Sequence, residues 1–196
     1  MRPVTSLPPR IVSVPVEFFA GLRQSALTAH ANASVLSVDA IRDAGFAAGK
    51  ALYDHFGSWL AEQGEAHPDR LSDERFSRLL EAYFRGIGWG KVEMQPLSDA
   101  VMALDVSDWG EASGQAGGCL VSSGIFAGFF GRLAGAPLSV LEVEAAHQGP
   151  GRARFLLGSI DVMGLVNRFA TGAGSSGGQQ PAAPKPLAPP ALGDGP

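Results

Sequence analysis

Residues 117–155 read GGCLVSSGIFAGFFGRLAGAPLSVLEVEAAHQGPGRARF, and this stretch decides the fold. Its first half is a helix dense in Gly and Phe, predicted over Cys119 to Ala134 and stopped by Gly135 and Pro137. Strands are predicted over Leu138 to Ala146 and Arg152 to Leu157, paired as a hairpin around Gly149-Pro150-Gly151. Gly124, Gly128 and Gly131 give the helix a small face that permits close packing, while Phe126, Phe129, Phe130 and Leu133 surround the rest.

Working outward, a second hairpin precedes this unit. Its strands are Trp89 to Gln95 and Ala100 to Val106, parted by Pro96 and Ser98. Before it lie helices. Ser37 caps a long one running to about Gln63, in which Gly45 and Gly49 stand four apart, so that another backbone can approach closely. Ser72-Asp73-Glu74 opens the next, with an apolar stripe of Phe76, Leu79, Leu80, Tyr83 and Phe84. The run Gly86-Ile87-Gly88-Trp89-Gly90 follows a helix and leads into a strand, the reverse of a dinucleotide loop, and is read as a helix stop. A short strand at Ile11 to Val14, a helix through Phe18, Phe19, Leu22 and Leu27, and a closing helix from Ile160 to Phe169 complete the pattern. Helices, hairpin, helix, hairpin predict an α+β domain: one antiparallel sheet of about four to five strands with helices packed on it.

Residues 1–10 read as an extended lead-in, 11–170 as the folded, ligand-binding domain, and 171–196 as a tail. The tail is Gly, Ser, Gln, Pro and Ala with almost no large apolar side chains; such a segment buries too little surface to offset its ordering entropy and is expected to be disordered. Net charge is −4 with both signs mixed along the chain, and no Lys/Arg cluster points to nucleic acid. One cysteine rules out an internal disulfide and suits a reducing cytoplasm. The longest uncharged stretch, Ala112 to Gly131, is broken by six glycines and several serines and is too short to span a bilayer. The histidines are scattered outside any triad or metal motif, and paired carboxylates such as Glu142/Glu144 read as a solvated strand face. No flavin, nicotinamide or iron–sulfur signature is present, so redox catalysis has no chemical support in these residues, and binding without catalysis is the favoured expectation.

With these elements in place, the chain resembles the 4-vinyl-reductase domain family of small-molecule-binding domains, related in fold to heme nitric-oxide-binding and Golgi transport-particle domains. The resemblance is carried by Arg42-Asp43-Ala44-Gly45, the Gly88-Trp89-Gly90 turn, Gly124 to Gly135 before Pro137, and the closing Leu141-Glu142-Val143-Glu144 and Arg154-Phe155 strands. It covers most of Ile11 to Phe169. Relatives include sensor domains of phenol- and xylene-responsive activators and a protein of bacteriochlorophyll synthesis. In the sensors zinc is held at four positions, which fall here on Cys119, Glu142, Ala145 and Ala153. Two donors cannot hold zinc against water, so the resemblance implies a degenerate site and no metal cofactor. His147 is a conceivable third donor if the strand reaches it. Cys119 otherwise reads as a small buried apolar side chain, and Glu142 as pairing with a cation or facing water.

The resemblance further implies non-enzymatic binding of a small hydrophobic or aromatic ligand, as a cytoplasmic sensor or carrier and as a homodimer. The aromatic candidates for the pocket are Phe46, Trp89, Phe126, Phe129 and Phe130. Two other roles stay open: an accessory factor in tetrapyrrole or bacteriochlorophyll synthesis, and a protein-interaction module whose core is filled.

Overall fold

A computed structural model describes residues 18, 19, 21, 22, 37–113, 118–143, 149 and 151–172. The expected strand at Ile11 to Val14, the lead-in, and Ala145 and His147 lie outside the described residues, as does the tail beyond residue 172.

Helix α1 spans Val38–Glu62 and starts where the sequence places it: the Ser37 side chain accepts the Ala40 N–H at 3.1 Å. Helix α2, Asp73–Gly86, has the same device, with Ser72 accepting from Arg75 N–H and Asp73 and Glu74 in the first turn, where the helix dipole favours them. Its stripe Phe76, Leu79, Leu80, Tyr83 and Phe84 is buried as a unit. Strands β1 (Lys91–Ser98) and β2 (Val101–Ser107) form the first hairpin, α3 spans Leu120–Ala134, β3 (Leu138–Val143) and β4 (Ala153–Ser159) form the second, and α4 spans Ile160–Gly172. The sheet order is β1-β2-β4-β3, antiparallel throughout. This is an α+β fold with four strands among the described residues.

One strand boundary differs from expectation by more than two residues. Strand β1 runs through Pro96 instead of ending before it. It is an edge strand, where a residue without an N–H loses no ladder bond on its open side, and the register shifts between Pro96 and Ser98. The expected end of β3, Glu144 to Ala146, lies outside the described residues.

The two glycine pairs explain the helix layer. A Cβ at Gly45 would lie 2.4 Å from the Val121 carbonyl oxygen, and one at Gly49 2.1 Å from that of Ile125. Conversely, a Cβ at Gly124 would lie 2.2 Å from the Arg42 oxygen and one at Gly128 2.2 Å from that of Phe46. The backbones of α1 and α3 therefore touch along a four-glycine seam. With no side chains in the seam, the large residues of both helices are turned to its sides and into the core. There Phe56, Tyr83, Phe84, Trp109, Phe126, Phe129 and Phe155 pack ring against ring, with centroids of neighbouring pairs 5.0 to 6.1 Å apart. Buried side chains of the sheet, Val92, Leu104, Val106 and Leu157, close this core from below.

Candidate functional site

Two places stand out: the N-terminus of α3, where the degenerate metal positions meet, and a groove beside β3.

At the first, Cys119 is buried and serves as the N-cap residue of α3, without a side-chain cap bond. Three N–H groups at the helix start, those of Cys119, Val121 and Ser122, are met by two carboxylates from elsewhere. Glu142 Oε2 accepts the Cys119 N–H at 2.5 Å. Glu111, itself buried, accepts Val121 N–H at 2.9 Å, Ser122 N–H at 2.7 Å and the Ser122 hydroxyl at 2.5 Å. Trp109 Nε1–H donates to the same hydroxyl at 2.8 Å. Negative charge placed on the unpaired N–H groups of a helix start is doubly favourable, by hydrogen bonding and by the dipole. Glu142 is thus a cap across the fold, in place of the expected cation pair or solvated side chain.

The structure brings Cys119 and Glu142 together. Ala153 is buried on β4 and offers no donor atom. Among the described residues no three His, Cys, Asp or Glu side chains converge as a metal site. Among the described residues the pair supplies two donors of the four that a tetrahedral zinc site needs, and the carboxylate accepts a peptide N–H.

The second place is an open groove of about 690 Å³. Its floor is Leu138, Ser139, Val140 and Leu141 of β3. One wall is built by Arg42, Asp43 and Phe46 of α1 with Ser123, Gly124 and Ala127 of α3; the other by Ile160, Met163, Gly164 and Asn167 of α4. The glycine seam makes the first wall, because it presses α1 onto α3 closely enough for both to border one cleft. Phe46 and Ile160 are among the exposed large apolar residues, and both face this groove. Lys50 Nζ sits 5.4 Å from the Phe46 ring centroid, a cation over an aromatic face.

Of the five aromatic candidates, Phe46 lines the groove. Phe126, Phe129 and Phe130 come together in the packed interior. Trp89 is half-buried, its ring 5.3 Å from those of Phe19 and Trp109. Sequence reasoning overlooked Trp109 and Glu111, which sit in a turn-rich segment with no periodicity to mark them. It also overlooked Met163 and Ile160, which border the groove only because α4 folds back beside β3.

No protein-family model matches the sequence, and no curated protein is significantly similar to it. Solved structures are similar in fold. One is the phenol-responsive sensory domain of the transcription activator PoxR with phenol, at TM-score 0.55 and 14% identity, covering 78% of this chain and 77% of that one. Another is a vinyl-4-reductase family protein from Methanocaldococcus jannaschii, at 0.47 and 20%, covering 76% and 84%. A third is a trafficking protein particle complex subunit 3 from Naegleria fowleri covalently bound to palmitic acid, at 0.49 and 11%, covering 73% and 93%. At 14% identity, the property shared with the phenol-responsive sensory domain is the fold.

Proposed function

We propose that this chain is a 4-vinyl-reductase-like domain that binds a small hydrophobic or aromatic ligand without catalysis, as a sensor or carrier. The observation that carries the reading is the groove beside β3: concave, flanked by an exposed aromatic ring, and bordered by Ala127, Leu138, Val140, Ile160 and Met163. An apolar ligand there would gain from burial against both walls, and Ser123, Ser139 and Asn167 offer it a few polar contacts. The fold shared with a phenol-responsive sensory domain supports the same reading. In it Phe46 is the aromatic wall, and Phe126, Phe129, Phe130 and Trp89 act from behind by keeping the core and the sheet in place. The Cys119–Glu142 clasp takes over the position of a zinc site, and the domain works without metal. A homodimer is part of the proposal, supported by the exposed Leu165 and Phe169 of α4.

Native mass spectrometry of the purified protein tests the reading: a co-purifying small mass, or saturable binding of the apolar probe anilinonaphthalene sulfonate, is expected. Phe46→Ala should weaken that probe about fivefold, roughly 1 kcal/mol, without changing the melting temperature. Equal affinity in the variant would sink the groove as the ligand site. Absorbance in the porphyrin region from the co-purifying material would instead favour a role in tetrapyrrole synthesis.

A further inference from the structure

The face of the sheet turned away from the core carries a second cleft. The register that pairs Lys91 with Ser107 and Val106 with Ala153 sets Lys91, Ser107 and Arg152 in one row across β1, β2 and the approach to β4. Neighbouring strands lie about 4.8 Å apart, so Lys91 and Arg152 stand on either side of Ser107 with their Cα atoms about 10 Å apart. Their chain neighbours Val92, Val106 and Ala153 are buried in the core, so by alternation the row points the other way. Glu93, Asp105 and Arg154 make the next row on the same face. These side chains border an open cleft of about 360 Å³ that shares no residue with the groove beside β3.

The ion pairs in this cleft leave one cation over. Arg154 grips Asp105 through two bonds, Nε to Oδ1 at 2.6 Å and Nη2 to Oδ2 at 2.7 Å, and Lys91 pairs with Glu93. Both carboxylates are thereby neutralised. The exposed guanidinium of Arg152 and the half-buried hydroxyl of Ser107 have no side-chain partner among the described residues. We infer that this cleft binds one phosphate group, held by Arg152, Ser107 and Lys91. The three donors approach from different directions and match the three terminal oxygens of a phosphate. Arg152 presents its fork from one side and Ser107 its hydroxyl from beneath. From the other side comes the Lys91 ammonium, which keeps two N–H groups beyond the one given to Glu93. A carboxylate, with two oxygens, would leave part of this set unused. Glu93 and Asp105 in the next row disfavour a run of phosphates, so the ligand is a single phosphate, free or carried by a small molecule.

This site goes beyond the small-ligand reading and fails independently of it. Inorganic phosphate and methyl phosphate are titrated separately into the full chain, followed by the amide shifts in nuclear magnetic resonance spectra. Saturable shifts centred on Ser107 and Arg152 are expected. Affinity should rise as pH passes about 6, where a phosphate gains its second charge, and should fall with added salt. Arg152→Gln, which removes the charge at an exposed position, should weaken both probes about tenfold at an unchanged melting temperature, and Ser107→Ala about threefold. Phe46→Ala should leave both affinities as they are. Tighter binding of methyl phosphate marks a phosphorylated small molecule as the ligand, whereas inorganic phosphate bound as tightly or more so marks the free ion. Absence of saturable shifts with either probe overturns the proposal. Wild-type affinity in Arg152→Gln overturns it too, as does acetate bound as tightly as methyl phosphate.

Discussion

Glu111 and Glu142 share one task, holding the start of α3 from two different parts of the chain. Glu111→Ala would leave two peptide N–H groups and the Ser122 hydroxyl without their acceptor in a buried place. An unsatisfied buried group costs about 1–3 kcal/mol, so a loss of roughly 3 kcal/mol is expected in urea unfolding. Glu142→Ala removes one cap bond at a half-buried site and should cost about 1 kcal/mol. A smaller loss for Glu111 than for Glu142 would refute this ranking. Tyr83 is a second informative residue. Its hydroxyl donates to the Leu52 carbonyl at 3.3 Å and lies 2.8 Å from His55 Nδ1, and burial pushes the phenol's pKa well above its ordinary value. Below about pH 10 the phenol is neutral in both folded and unfolded chains and stability is flat in this respect. Above that pH the unfolded chain gives up the proton first, so the contribution of Tyr83 is lost as pH rises. Unfolding midpoints between pH 9 and 11 should fall more steeply for the wild type than for Tyr83→Phe.

At the scale of elements, the α1–α3 seam is the feature most open to test. Gly49→Ala would put a methyl group 2.1 Å from the Ile125 carbonyl oxygen, and backbone cannot yield as a side-chain tip can. The helices must separate, at a cost of about 3 kcal/mol or more. Gly57 lies in the same helix with nothing within 4 Å of an added Cβ. Gly57→Ala should therefore stabilise by about 0.5–1 kcal/mol through helix propensity alone. Thermal melts of the two variants should move in opposite directions, and a shared direction would mean that the seam is loose. The same seam borders the groove, so Gly49→Ala should also weaken apolar probe binding while Gly57→Ala leaves it unchanged.

For the molecule as a whole, the ring-packed core and the groove divide the work. Phe126 is fully buried and touches Phe84, Trp109, Phe130 and Phe155. Phe126→Ala should lower stability by about 3–5 kcal/mol, with any loss of ligand affinity following from the loosened fold. Phe46→Ala should do the reverse, changing binding and sparing stability. Equal melting of the wild type and Phe126→Ala would show that the interior is not packed as described.

Local rules made much of this legible in the amino-acid order. Ser37 and Ser72 announced helix starts, Gly86 to Gly90 a stop, and the two hairpins their antiparallel pairing, because capping, glycine freedom and alternation act over a few residues. Even the Gly45/Gly49 face was readable as a place for close approach. What the chain order did not contain was the partner across that seam, the order of strands that leaves β3 at an edge, or the return of α4 that walls the groove. Likewise Glu142 could be read as a leftover ligand, but only the folded chain sets it against the Cys119 N–H, 23 positions away. These features depend on contacts between residues far apart in sequence, and their free energy exists only once the whole core has closed.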